Sequence, residues 1–211
     1  MKTQLFILSL VLHAAASLSQ TPLLDPDFGI AGKATCAFGT YDSVLSNSAL
    51  QADGKIVATG QYYYQGADAG VNYAVLCRFN SDGTLDDTFG VGGKVALSSE
   101  IFPNVSTTAL AILDNGKILI LGYTTTVFDS TATSDMVLIQ LNNDGSPDVG
   151  FGNNGYLNVG SWLPSNAMLI QPDQKIVIGG YDREMEDNFA VLRLHPDGAS
   201  DSSFGLNGLV R

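Results

Sequence analysis

Short apolar runs, rather than long amphipathic ones, set the pattern of this chain. Ile56-Val57-Ala58 and Val75-Leu76-Cys77 are continuous instead of alternating, and Asp-Gly, Asn-Gly and Gly-Gly pairs punctuate such runs along the chain. Short runs with β-branched or aromatic members read as strands covered on both faces, and the punctuation reads as tight turns between them. In the first part of the chain the pattern predicts strands over Lys33–Phe38, Val44–Gln51, Lys55–Tyr62 and Tyr73–Asn80. No long segment after the N-terminal region keeps a 3.6-residue apolar period, which excludes stacked helical repeats.

The runs recur in a fixed order. A phrase built on Asp, Phe-Gly and a later Gly appears at Asp25–Gly32, Asp86–Gly93, Asp148–Gly155 and Asp201–Gly208, and its phenylalanines lie 61, 62 and 53 residues apart. Between the phrases stand a lysine box (Asp53–Gly60, Asn115–Gly122, Asp173–Gly180) and an apolar box ending in a polar turn (Tyr73–Gly83, Met136–Gly145, Phe189–Gly198). Recurrence at this scale marks a tandem array of one supersecondary unit. The expected fold is all-β, with tandem four-stranded blade-like repeats forming a partial or open β-propeller. Its units run over about 28–88, 89–150 and 151–203, with the start of a fourth at 204–211. Three full units fall short of the usual ring of roughly four to eight blades. The array is therefore a piece of a longer one, or closes through its last segment, or joins other protomers through open blade edges.

What repeats has a structural account. Phe28, Phe89, Phe151 and Phe204 are expected to plug the gaps between units, each contributing about 2–3 kcal/mol through buried apolar surface. Gly29, Gly90, Gly152 and Gly205 suit backbone at positive φ. Asp25, Asp86, Asp148 and Asp201 suit turns whose amides they accept from, or pairing with arginine.

The first residues read differently. Met1-Lys2, the apolar Leu5–Leu12 and the small residues around Ala14–Ser19 have the layout of a secretory signal peptide over 1–19, leaving a mature array over 20–211. That apolar stretch is too short to span a bilayer, and no later one approaches the required length, so no membrane insertion is expected. The formal net charge is −11, and Lys2 is lost on processing. Such acidity disfavours nucleic acid and anionic lipid. In an exported chain two cysteines invite a bridge. Internal alignment, however, puts Cys77 in the slot of Ile139 and Leu192, and Cys36 in that of Leu97 and Val159. Both read as small core hydrophobes, so free buried thiols are expected, with a Cys36–Cys77 bridge as the alternative.

Few residues offer chemistry. Removal of His13 leaves His195 as the single histidine, in the turn slot of Asn80 and Asn142, which does not build a catalytic triad or a zinc site. Asn80, Asp82 and Asp86, like Asn142, Asp144 and Asp148, resemble the later part of a calcium loop, yet Arg78 and Gln140 stand where its first acidic ligand belongs. No catalytic residue, cofactor or metal is expected, calcium being the weak candidate. Asp182–Asp187 reads as an exposed acidic loop. Tyr62, Tyr63 and Tyr64 form a candidate binding loop for a sugar ring or peptide, against the plainer reading of packing at a strand end.

The succession QADGKIVATG (Gln51–Gly60) and YAVLCRFNSDGTLDDTFGVGGKV (Tyr73–Val95), with its counterparts, resembles the delta-sixty repeat family across nearly all of Leu24–Arg211. That family occurs in tandem in exported bacterial proteins, with units that resemble β-propeller blades. Departures at Gln174 and at Leu113-Asp114 are turn variations. The resemblance implies fold and export, and it transfers no catalytic residue. The expected function is an exported structural or interaction scaffold at the bacterial cell surface or beyond, with an unidentified protein or glycan partner. The alternatives are a secreted propeller hydrolase or lyase acting on extracellular polysaccharide, and a calcium-stabilised adhesion module. An axis holding two adjacent acids favours the enzyme, and one lined by small apolar residues favours the scaffold.

Overall fold

The computed structural model describes residues 24–39, 43–64, 71–97, 104–128, 131–160, 167–182 and 188–211. The proposed signal peptide lies outside the described residues. Everything regular within them is strand, arranged as three four-stranded antiparallel sheets that do not close into a ring. The first contains β1 (Ser43–Leu50), β2 (Ile56–Tyr64), β3 (Val71–Phe79) and β4 (Lys94–Leu97) in that spatial order. The second repeats it with β5 (Val105–Ile112), β6 (Ile118–Phe128), β7 (Thr131–Leu141) and β8 (Tyr156–Gly160), and the third with β9 (Ala167–Ile170), β10 (Ile176–Asp182), β11 (Asn188–Leu194) and β12 (Leu209–Val210). The strands β1, β5 and β9 lie side by side, β1 against β5 and β5 against β9, so the inner edges of the blades meet while β4, β8 and β12 form the rim.

In the middle blade the apolar runs continue without alternation because its central strands are covered twice. On β6, Ile118 and Ile120 pack with Val57, Leu76 and Phe89 of the first blade. Their neighbours Leu119 and Leu121 pack with Ile176, Ile178 and Leu192 of the third. A strand between two sheets thus has no solvent face to mark with polar residues.

Lys33–Phe38 is not a strand, contrary to the expectation. Its counterparts Lys94–Leu97 and Tyr156–Gly160 pair with β3 and β7, completing the sheet that precedes them. Among the described residues no preceding sheet offers Lys33–Phe38 such a ladder, and its backbone is irregular despite the same apolar content. Each phrase-to-phrase sequence unit is consequently out of step with the sheets, because its opening residues finish the blade before it.

The cysteines also require correction, because they are joined and not free. Cys36 and Cys77 form a disulfide with Cα atoms 6.5 Å apart. Their side chains pack with Ala34, Phe38, Ala58 and Phe79 on the first blade's outer face. The reason lies in the seams. Leu97 and Ile139 share one core cluster, and Leu192 packs in another that Val159 borders, so the two cysteine slots face each other at every seam.

Candidate functional site

The constant residues converge on the seams between blades. After each apolar box the chain turns through a loop closed by its own polar groups. At the first, Gly83 N donates to Asn80 O at 2.9 Å, and both the Thr84 amide (2.9 Å) and its hydroxyl (2.6 Å) donate to Asp82 Oδ1. Asn80 Nδ2 donates to Thr84 Oγ1. Ser146 repeats this on Asp144 and receives Asn142 Nδ2. These donors hold Asp82 and Asp144 below the ordinary carboxylate range, the Thr84 and Ser146 hydroxyls leading.

A few residues on, the phrase carboxylates meet cations from the same blade. Asp86 Oδ2 lies 2.6 Å from Arg78 Nε and 2.9 Å from Lys55 Nζ, while Oδ1 accepts from the Thr88 hydroxyl at 2.7 Å. Burial presses Asp86 towards its neutral form; the Thr88, Lys55 and Arg78 donors outweigh it and hold the group far below the usual range. In the third blade Asp201 accepts from Ser203, Lys175 and Arg193, and it too is strongly depressed, the Ser203 hydroxyl leading. The second blade keeps Lys117 on Asp148 at 2.7 Å but replaces the arginine with Gln140, whose Nε2 donates at 2.6 Å. Lys117 leads in lowering Asp148 against the cost of burial. Asp25 differs from all three: it is exposed, and Oδ1 accepts only its own turn's Asp27 amide among the contacts described.

The first three Phe-Gly pairs then cross to the following blade. Phe89 is fully buried in the cluster joining blades one and two, and Gly90 N donates to Asp144 O across the seam at 2.8 Å. The Arg78 guanidinium lies 4.7 Å above the Phe89 ring and continues to the Asn143 carbonyl of the next blade. Gly145 is glycine because a Cβ there would stand 2.9 Å from Phe89 Cε2. Gly90, at φ +55°, leaves room for the Lys94 carbonyl, which a Cβ would strike. Phe151 is buried in the next seam, whereas Phe28 and Phe204 are half-buried at the two ends of the array.

The lysines were not singled out by the sequence reading. Lys55, Lys117 and Lys175 recur in every box, yet the carboxylate that each serves is far along the chain, 31 residues in the case of Lys117 and Asp148. Constancy was the available signal, and only the fold supplies the partner.

Elsewhere the candidates separate. His195 sits at its turn with Nε2 3.8 Å from Asp201 Oδ1 and a 44% exposed side chain. Tyr62 is half-buried between Phe38, 6.2 Å away and parallel, and Tyr73, 5.0 Å away. Tyr63 and Tyr64 pair through their backbones with Asn72 and Val71; their side chains lie outside what is described, as do residues 65–70, 129–130 and 183–187 of the variable loops. Along the inner edges is a cavity of about 390 Å³, lined by residues including Asn47, Ser48, Ala109, Leu110, Ala167 and Met168, and, among the described residues, by no ionisable side chain. Among the described residues no group of three or more His, Cys, Asp or Glu side chains is placed to hold a metal ion, and no helix is long and apolar enough to cross a membrane.

Four-stranded sheets stacked through repeated plugs define an open β-propeller array. The chain belongs to the family described as "Domain of unknown function (DUF5122) beta-propeller", which matches at residues 51–89, 113–151 and 171–204. Each match opens at a lysine-box turn and closes on the seam phenylalanine. No curated protein matches the chain.

Proposed function

We propose that this protein is an exported, non-catalytic scaffold of delta-sixty-type repeats that presents its variable loops to a protein or glycan partner at or outside the bacterial surface. One observation carries the reading: the recurring carboxylates are committed to cations and turns at the seams, while among the described residues the inner cavity has no acid to donate or accept a proton. The repeated residues therefore serve assembly, and specificity falls to the loops, which differ between units. The Cys36–Cys77 bridge supports export, since such bonds persist in oxidising compartments. The turn oxygens of Asp82 and Asp144 are already engaged by their own loops, which argues against calcium as a stabiliser.

The test is expression of the full chain in a bacterial host, with intact-mass measurement of any exported product, followed by a glycan array and a polysaccharide-hydrolysis assay. The expected product begins near Gln20, carries the bridge and releases no new reducing ends. Retention of the first nineteen residues in a cytoplasmic product overturns export. Hydrolysis that tracks the purified protein overturns the non-catalytic reading.

A further inference from the structure

Four phrases serve three blades. Phe28, Phe89 and Phe151 each abut the glycine in the polar turn of the blade that follows, at Gly83, Gly145 and Gly198. The fourth phrase is built to the same plan. Phe204 N donates to Asp201 O at 3.0 Å, as Phe89 N does to Asp86 O, and the Arg193 guanidinium lies 4.4 Å above the Phe204 ring as Arg78 does above Phe89. Among the described residues no turn is seated on it. On the same blade Phe189 is 92% exposed, while Met136, which fills its slot in the second blade, is buried at 2%; Leu206 is exposed like Val91 in the filled seam and marks nothing. A preformed plug and an apolar face stand open together.

The matching socket exists at the other end, on the first blade. Gly83 leaves the same bare surface in the Asn80–Thr84 turn, and Ser81 fills the sequence slot of Asn143, whose carbonyl receives Arg78 at the internal seam. That socket is occupied by the chain's own N-terminal segment. Gly29 N donates to Asp82 O at 2.7 Å, Phe28 covers Gly83, and the bridge from Cys36 ties the segment to Cys77. Unlike the other phrases it contributes no rim strand; the bridge, the packing of Ala34 and Phe38 on Ala58, Phe79 and Tyr62, and the Lys94 Nζ bond to the Ala37 carbonyl hold it.

We propose that the Phe204 phrase of one copy docks on the Asn80–Thr84 turn of a second copy, and that Leu24–Phe38, pinned by Cys36–Cys77, is a cap that blocks this contact. The seat is the one already formed within the chain at Phe89 on Gly145, which is why a second copy is the fitting partner. Two uncapped arrays placed head to tail satisfy both plugs at once, and the described blades of two copies make six, within the roughly four to eight of closed rings.

The test is light scattering on full-length mature chain. Capped wild type is expected to be monomeric. Cys36→Ala/Cys77→Ala/Phe28→Asp is expected to double in mass, and adding Phe204→Asp is expected to return it to monomer. Should the triple variant fail to melt cooperatively, Phe28→Asp with the bridge opened by a reducing agent carries the same comparison. An uncapped chain that stays monomeric overturns the docking, as does association that survives Phe204→Asp. Wild type already associated through Phe204 overturns the cap.

Discussion

The seam between blades one and two and the outer face of blade three carry the same Arg, Asp and Phe-Gly positions of the repeat, yet they present different surfaces. Phe89 is fully buried and the Arg78 side chain is 4% exposed; Phe204 is half-buried and Arg193 is 19% exposed. The local geometry is nearly identical, since each arginine pairs through Nε with its phrase aspartate, at 2.6 and 2.7 Å. What differs is the neighbour. In a stacked array the unit supplies the conformation and the next unit supplies the burial, so equal residues carry unequal stability.

Truncation of the phenylalanines should expose that inequality most clearly. Phe89→Ala is expected to cost about 3–5 kcal/mol, the usual penalty for a fully buried aromatic, while Phe204→Ala costs under about 1 kcal/mol, both read from urea unfolding. Equal losses would show that the ring acts within its own blade. Asp86→Ala should follow closely, at about 3–5 kcal/mol, because Arg78 is left buried without its counter-ion. Asp148→Ala should cost less, about 1–3 kcal/mol, since it leaves the neutral Gln140 amide unsatisfied while Lys117, whose side chain is 32% exposed, can turn to solvent. Removing the bridge by Cys36→Ala/Cys77→Ala is expected to cost about 2–4 kcal/mol, with the loss confined to the first blade; hydrogen exchange that rises equally in blade three would contradict this.

Acid provides a gentler probe. Asp86, Asp148 and Asp201 have folded pKa values below those of the unfolded chain, so their contribution is complete above the ordinary carboxylate range near about 4 and declines as pH falls towards the folded values. The melting temperature should therefore be insensitive to these groups at neutral pH and drop below about pH 4. Asp86→Asn should flatten that drop, and an unchanged acid limb would remove Asp86 from the account. Calcium or a chelator is expected to leave the melting temperature unmoved; a rise with calcium would reopen the Asn80 and Asn142 turns as metal loops.

The sequence made the repeat, the strands flanking the lysine box and the seam phenylalanines legible, because each depends on local residue type and recurs. The rim strand was misplaced because Lys33–Phe38 and Lys94–Leu97 look alike, and only the second has a β3 to pair with. Weighing each cysteine separately hid the bridge, although Leu97 and Ile139 meet in the equivalent slots. The cation partners of the phrase aspartates needed tertiary proximity, and the inner cavity rests on β1, β5 and β9, where no motif recurs to announce it.

The offset between sequence unit and sheet bears on how such an array changes length. Unequal crossover between two copies of the gene segment, at any matching point, inserts or deletes one whole period and leaves every surviving blade with a rim strand. Neither event strands a half-finished sheet. Blade number is therefore a quantity that recombination can adjust in single steps, while point mutation is left to diversify the loops.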